Sequence, residues 1–536
     1  MAYHKDLRQH MKALEEHGKL IRIDSPINKD TQLQPLVRLQ FRGLPEEQRK
    51  AFLFTNVFDS RGKKYDIPVV ICALAGSSEI YAIGMMCRPE EIAERLAQAE
   101  INAVAPIMVE SGPVQEEVYM GDRLLERGGL DEFPVPIATP GFDCAPFFNA
   151  ACWVTKDPET GIRNVAVYRN QVKSPTRTGV HFGDVSRHGL KHWQKCKERG
   201  IPLEVACVIG GPPSIGYVAV SKLPDGVDEF TVAGGIAGEP LELVKCKTVD
   251  LEVPAHAEII IEGELTTEEL EVEAPHGEAV GYIGMEEMMP YLTVKCITHR
   301  HNPIWLAFIS QFPPSESSKI RQHANEGAVY KYLKHDQNMP HVKTVAFHES
   351  VGSEAYVAIQ ITKTDQAEVW RTLEAVAGRF AAAKTIVAVD EDINPADADI
   401  INWAIASRVQ PHRDCRIVEY RSSNLLDLSL EPFDDLLKRR HAEHDAQTEM
   451  PLASHLLINA TLKWAYPPLS LPKKEFMEEA LRIWEKEGLP ALKLKDPWWG
   501  YNLGYWRDEH EECAALAVKG EYYKTGEQRA QNRVKI

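Results

Sequence analysis

Residues 149–172 read NAACWVTKDPETGIRNVAVYRNQV. An apolar run, a turn carrying Asp157, Pro158 and Gly161, and a second apolar run describe a β-hairpin. Arg169 interrupts the apolar second arm. A guanidinium stays charged and is costly to bury alone, so a core arginine calls for a carboxylate partner. A structural ion pair and a functional one satisfy that demand equally well. Further strand candidates are IPLEVACVIG (201–210), HAEIIIEGEL (256–265), YLTVKCIT (291–298) and PIWLAFIS (303–310). Many strands with few helices between about 130 and 310 predict a barrel or a strongly curled sheet.

On the N-terminal side, residues 6–17 predict a helix, IPVVICALAG (67–76) a buried strand, and PEEIAERLAQA (89–99) a helix with Ile92, Leu96 and Ala97 on one stripe. From about 340 to 420 the period changes. The strands TVAFHES, EAYVAIQIT and KTIVAVD alternate with the helices QAEVWRTLEAVAGRFAAA and PADADIINWAIASR, which predicts a compact mixed domain. KKEFMEEALRIWEKEG (473–488) is an amphipathic helix stopped at Gly488. The aromatic run PWWGYNLGYW (497–506) behind it reads as a strap on the chain's own core or on a neighbouring subunit.

With 536 residues, the chain is too long for one typical core, so two or three domains are expected. A formal net charge of −17 argues against nucleic-acid and anionic-membrane partners. No apolar run approaches the roughly 20 residues that cross a bilayer. The polar first residues lack the apolar core of a signal peptide, so a cytoplasmic protein is expected. Ten cysteines stand singly with no C-x-x-C pair, as buried reduced thiols would.

Phosphate-loop and H-E-x-x-H motifs are absent. Asp390, Asp392 and Asn394 start like a calcium loop, but Ala396 and Ile401 occupy the glycine and glutamate positions and exclude it. GGPPSIG (210–216) reads as a loop. Three polar places remain in apolar surroundings: Arg169 in its arm, RHGLKHW (187–193) with His188 and His192 four apart, and EVEAPHGEAVGY (271–282). In the last, Glu273 and Glu278 flank the breaker Pro275-His276-Gly277. Singly, each has a bland reading as ion pair, surface histidines or acidic turn. Jointly they describe a site, because Arg169 needs a carboxylate and Glu273 is available beside a strand end. One carboxylate held ionised by arginine and a second less compensated would have separated pKa values, giving a charged anchor and a proton donor together.

At these residues the chain resembles the UbiD family of decarboxylases, which use prenylated flavin mononucleotide (prFMN). The resemblance covers roughly residues 10–465. It is carried in order by NVAVYRNQ (164–171), LPDGVDEF (223–230), KCKTVDLEVPAHAEIIIEG (245–263), EAPHGEAVGY (273–282), FPPSESS (312–318) and IINWAIASRVQPHRD (400–414). It implies an α+β fold: a small N-terminal α/β domain (1–125), a split β-barrel of flavin-reductase-like type that binds the prenylated flavin (126–325), a C-terminal α/β oligomerisation domain (326–465) and a helical, aromatic tail (466–536). Arg169 matches the active-site arginine, Glu273 its paired carboxylate and Glu278 the acid–base glutamate. Asn164, His188 and Glu229 match ligands of a divalent ion, usually manganese, and His192 lies close to His188. A potassium ion nearby is also implied, the ions bridging protein and flavin phosphate. An Asn–His–Glu set is chemically suited to manganese or magnesium. Tyr168 and Gln171 fall among the cofactor-binding positions. ASHLLINATLKW (453–464) offers His455 and Lys463 where many members carry a phosphate-binding lysine. PVPIATPGFDCAPFF (134–148) departs from the common family form and is expected to shape the substrate pocket.

The function implied is reversible, non-oxidative decarboxylation of an aromatic or α,β-unsaturated acid or its CoA thioester. Glu278 is the proton donor, in a pocket dry enough to raise its pKa. In length and aromatic tail the chain resembles the phthaloyl-CoA decarboxylase branch of the family, which implies phthaloyl-CoA as substrate, giving benzoyl-CoA and CO2; KSPTR (173–177) and KHWQKCKERGIP (191–202) would supply the basic patch. A free phenolic, heteroaromatic or polycyclic acid is the alternative. Implied partners are a flavin prenyltransferase as cofactor supplier and further copies of the chain, as homodimer or homohexamer. Readings from other classes are a flavin reductase using unmodified flavin, a metal-dependent hydrolase or lyase, and a structural subunit of a multi-part carboxylase. A complete Arg169, Glu273 and Glu278 set counts against the last.

Overall fold

The computed structural model describes residues 2–182, 187–422, 424, 426–442 and 450–535. The hairpin of the opening stretch forms as read: Cys152–Lys156 pairs antiparallel with Arg163–Val167. Its turn is closed by Asp157 N–H on the Ile162 carbonyl at 2.9 Å, with Gly161 at φ 71°. The second arm stops at Val167, however, and a separate strand, Asn170–Ser174, begins after two intervening residues.

That interruption shapes the central domain. The sheet order is Arg163–Val167, Cys152–Lys156, Leu203–Ile209, Ile259–Leu265, Tyr291–His299, Arg177–Gly179, Asn170–Ser174 and Phe147–Phe148, with Glu117–Met120 also paired to Tyr291–His299. Arg163–Val167 forms one end of that order and Asn170–Ser174 lies next to the other end. Only Tyr168 and Arg169 connect them, so the sheet must curl until its edges nearly meet. The fold is α+β around this curled half-barrel, and Arg169 stands at its seam.

Two expectations for this region differ from the structure. Trp305–Ala307 leaves the curled sheet and pairs in parallel with Val69–Ile71 of the N-terminal sheet; a wholly apolar run suits any buried sheet and does not specify which. The region also holds helices His188–Glu198, Pro213–Val218 and Glu229–Ala237. The last has the sequence EFTVAGGIA, whose β-branched and glycine residues read poorly as helix. Packing explains one glycine: a Cβ on Gly235 would lie 2.2 Å from the Ala99 carbonyl of the neighbouring helix Ile92–Ile101.

The C-terminal domain is a mixed sheet in the order Val342–Phe347, Tyr356–Ile361, Thr385–Asp390, Leu452–Asn459, Cys415–Arg421. Helix Gln366–Arg379 buries Val369, Leu373 and Val376 on one face, and Ala398–Arg408 buries Ile401 and Ala404 on the other. The tail helix Lys474–Lys486 buries none of its residues. The tail is tied down by Tyr501, whose hydroxyl donates to Asp392 at 3.0 Å, and by Lys493 on Glu47 at 2.8 Å. All ten cysteines are free thiols. Among the described residues no helix is long and apolar enough to cross a membrane.

Candidate functional site

Arg169 is where the chain jumps from one edge of the curled sheet to the other. Its side chain is only 9% exposed and meets two carboxylates. Nε and Nη2 donate to the two oxygens of Glu273 at 3.1 and 2.6 Å, a bidentate pair. Nη1 pairs with Glu278. The two acids are placed by a broken strand. Glu273 ends the strand Glu271–Glu273, Ala274 takes a left-handed φ of 79°, Pro275 follows, and the short strand His276–Gly277 resumes in a new direction. Residues five apart in an unbroken strand would point to opposite faces; the break brings both to one guanidinium. Their surroundings differ. The Glu273 side chain is fully buried, whereas that of Glu278 is 15% exposed and lines a cavity. Gly284 packs over this contact, since a Cβ there would stand 3.1 Å from Glu278 Cγ and 3.3 Å from Arg169 Nη1.

The break has a brace that the sequence did not single out as a residue. Asp143, within 134–148, buries its carboxylate under the loop. It accepts from Gly277 N–H at 2.9 Å and Thr139 N–H at 2.7 Å, with His276 Nδ1 at 3.3 Å. Burial opposes ionisation of Asp143, yet His276 and the two amides hold its pKa below the ordinary carboxylate range. His276 in turn stacks on Phe147 at 4.1 Å.

A second corner lies earlier on the same arm. Asn164 is buried and its Nδ2 has no hydrogen-bond partner. Glu229, at the start of its helix, accepts one bond from Val165 N–H at 2.8 Å. Burial pushes its pKa up to about 8, which the Val165 amide only partly offsets. A buried carboxyl with no cation beside an orphaned amide fits a site for a metal ion. His188 directs Nε2 to Asp225 at 2.6 Å, leaving Nδ1 for a ligand; this is the carboxylate–histidine arrangement common behind metals. His192 is instead held by the Thr155 hydroxyl at 2.9 Å, and burial lowers its pKa to about 4. Among the described residues no three His, Cys, Asp or Glu side chains converge, so the donor set here depends on the Asn164 amide.

Tyr168 turns into the core. Its ring lies edge-on to Phe182 at 5.2 Å and its hydroxyl accepts from Gly189 N–H at 3.1 Å. Gln171 keeps a buried, unpartnered Oε1. His455 and Lys463 are not brought to this place. His455 faces inward from the strand Leu452–Asn459, bonds the Ala383 carbonyl through Nδ1 at 2.7 Å and stacks on Tyr420 at 4.3 Å. Lys463 caps backbone carbonyls of Arg408 and Thr461 at 3.1 and 2.9 Å. A cationic cluster lies closer. Lys222 Nζ and Arg321 Nη1 each stand 3.8 Å from Glu354. Burial works against ionisation of Glu354, but Lys222, Arg321 and Arg187 hold its pKa down at about 2. Three cations around one acid leave excess positive charge, and Arg187 also acts on Tyr168, the neighbour of Asn164 and Glu229. The signal was distributed over three distant segments and not legible as a motif.

The cavity at the seam is lined by the polar residues Arg169, His181, Glu278 and Glu287 and by apolar ones from two segments, Val280, Ile283 and Met285 near the glutamates and Leu426, Leu428 and Phe433 further on. The second of these segments follows the C-terminal domain's edge strand Cys415–Arg421.

Comparisons with known proteins agree with this architecture. Residues 107–313 match the Rift-related domain of UbiD, 3-octaprenyl-4-hydroxybenzoate carboxy-lyase; residues 11–100 match the N-terminal domain of that family and 322–443 its C-terminal domain. An uncharacterized protein of Archaeoglobus fulgidus is 32% identical over 495 residues, 87% of this chain and 93% of its own. One of Aquifex aeolicus is 31% identical over 517 residues, 91% of this chain and 99% of its own. An evolved dimeric form of the UbiD-class enzyme HmfF from Pelotomaculum thermopropionicum, in complex with prFMN, superposes with a TM-score of 0.75 at 30% identity, covering 89% of this chain and 100% of that one. Vanillic acid decarboxylase of Sedimentibacter hydroxybenzoicus in closed form shares the fold at a TM-score of 0.76 and 24% identity, over 91% of this chain and 100% of that one. With family domains matched in all three parts of the chain and relatives above 30% identity along most of it, this protein belongs to the UbiD family of carboxy-lyases.

Proposed function

We propose that the protein carries out reversible, non-oxidative decarboxylation of a free aromatic carboxylic acid with prFMN as cofactor and Glu278 as proton donor. The observation that carries this is the unequal pair on Arg169: Glu273 sealed and bidentate, Glu278 open to the cavity. When bound, the prenylated flavin supplies the electron sink that loss of CO2 from an sp2 carbon requires. Glu273 keeps Arg169 charged and fixed, and Arg169 orients the carboxylate substrate and the Glu278 side chain. Glu278 delivers a proton to the carbon that has lost CO2 and removes it in the reverse direction. Asn164, Glu229 and Nδ1 of His188 would hold a divalent ion, and Lys222 and Arg321 suit the phosphate end of the flavin.

A free acid is favoured over a CoA thioester by the state of the basic residues. Lys173 and Arg177 are paired with Glu271 at 3.1 and 3.0 Å, Lys191 with Asp225 at 2.9 Å and Lys195 with Asp157 at 2.7 Å. A patch largely engaged by acids has less charge to offer an anionic CoA tail, which weakens one of the supports for phthaloyl-CoA. Production with a flavin prenyltransferase, followed by anaerobic assay of CO2 release and exchange, tests the reading. Glu278→Gln is expected to lower turnover by a factor on the order of 10³ while the flavin spectrum is unchanged. Near-normal turnover of that variant would remove Glu278 as proton donor.

A further inference from the structure

Beside the Arg169–Glu273 pair stands a second couple that the steps above do not use. Arg169 and His181 are opposite one another in a backbone bridge, His181 N–H donating to the Arg169 carbonyl at 3.3 Å. Glu273 and Glu287 are opposite one another across the strands Glu271–Glu273 and Glu287–Met289. The side chains close the square: Arg169 binds Glu273, and His181 Nε2 lies 2.9 Å from Glu287 Oε2. His181 and Glu287 line the same cavity as Arg169 and Glu278, and their side chains are only 12% and 5% exposed.

The chemistry of the couple is that of an acceptor. Burial, reinforced by the Arg169 cation, lowers the His181 pKa, so the imidazole is neutral near pH 7. A neutral ring that donates Nε2–H to Glu287 keeps Nδ1 as a lone-pair acceptor, and a carboxylate accepts up to about four bonds. The rest of the lining is mainly hydrocarbon, from Val280, Ile283, Leu426, Leu428 and Phe433, with the Tyr282 hydroxyl as an exception. An aromatic acid seated with its carboxylate toward Arg169 therefore meets the acceptors His181 and Glu287 in an otherwise mainly hydrocarbon lining.

We propose that His181 and Glu287 recognise a hydrogen-bond donor carried on the ring of the substrate, a phenolic hydroxyl or a heteroaromatic N–H, and select donor-bearing acids over donor-free ones. This rests on the decarboxylase reading and narrows its substrate class. A donor-free ring of the same shape sets an apolar edge against desolvated acceptors, the situation in which sites built for a hydroxyl discriminate most strongly.

Matched acids test it on the prFMN-loaded enzyme. 3-Hydroxybenzoate and 4-hydroxybenzoate are compared with their methoxy analogues, which resemble them electronically but lack the proton, and pyrrole-2-carboxylate with furan-2-carboxylate. The better donor-bearing acid is expected to exceed its partner in kcat/KM by about 100-fold or more; the pair that shows the gap separates hydroxyl from N–H. Glu287→Gln and His181→Gln are each expected to narrow that gap to about tenfold or less, with prFMN absorption retained. Equal kcat/KM within every pair for the wild-type enzyme overturns the proposal and leaves the decarboxylase reading standing, and needs no variant to fold. Absence of exchange with every acid, prFMN being bound, overturns the decarboxylase reading and this one with it.

Discussion

The two ends of the arm 164–169 handle buried charge in opposite ways. At the seam, Glu273 is fully buried and held by two nitrogens of Arg169. At the other corner, Glu229 is buried with one backbone amide for company and its pKa climbs to about 8. The first carboxylate is finished by the chain itself. The second receives no cation from the chain, which suits a ligand site rather than a structural pair. Burial alone does not separate the two roles; the partner does.

Breaking the finished pair should have the largest effect. Arg169→Met leaves Glu273 buried without a cation, and a loss of about 3–5 kcal/mol in unfolding free energy is expected along with all turnover. Arg169→Met combined with Glu273→Leu should recover most of that stability in denaturant unfolding and none of the activity. If the single variant were as stable as wild type, Glu273 would not depend on Arg169.

The unfinished corner is sharpened by pH. The folded-state pKa of Glu229 lies above its unfolded value, so the folded protein holds that proton longer. Its contribution to stability is complete below the ordinary carboxylate range and is lost as pH rises through about 8. Metal-free protein should therefore lose thermal stability between about pH 5 and 8, with an upper limit of ~5 kcal/mol. Added Mn2+ at pH 7 should raise Tm and flatten the dependence, and Glu229→Gln should show neither response. A flat Tm profile for the metal-free wild type would refute the assignment.

The brace comes next. Asp143→Ala strands the Gly277 and Thr139 amides under the loop, at a cost of about 2 kcal/mol. Because the loop carries Glu278, kcat should fall about tenfold with little change in KM, and Asp143→Asn should keep part of it. A change in KM alone would place Asp143 in substrate binding instead. The smallest effect belongs to the tail: Tyr501→Phe removes one bond to Asp392, which Arg408 still holds in a bidentate pair, so about 1 kcal/mol or less is expected in the urea midpoint, with activity unchanged.

Much of this was legible in the order of residues. The hairpin of 149–172, the strand within 256–265 and the helices of the C-terminal domain follow from periodicities of two and about 3.6. Arg169 demanded an acid, and Glu273 with Glu278 around a proline–glycine breaker supplied two. What escaped shares one cause. His181, Glu287, Asp143 and the Lys222–Arg321 cluster belong to segments far apart in the chain, and no local pattern marks them. His455 and Lys463 show the converse: the resemblance put them where many members carry a phosphate-binding lysine, but inward alternation along Leu452–Asn459 commits His455 to the core, and the carbonyls of Arg408 and Thr461 occupy Lys463.

By itself, the sequence determined the kinds of element, the family and the three charged residues of the seam, because periodicity, breakers and the cost of a lone buried charge are all written locally. Only the tertiary structure decided that Arg163–Val167 stands at one end of the sheet and Asn170–Ser174 next to the other, with two residues between them. The curl this forces puts Arg169 at a seam, and the structure turns one glutamate inward and the other toward a cavity whose apolar lining comes in part from a distant segment. Closure of a sheet is a property of all its strands together, so no single stretch could have carried it.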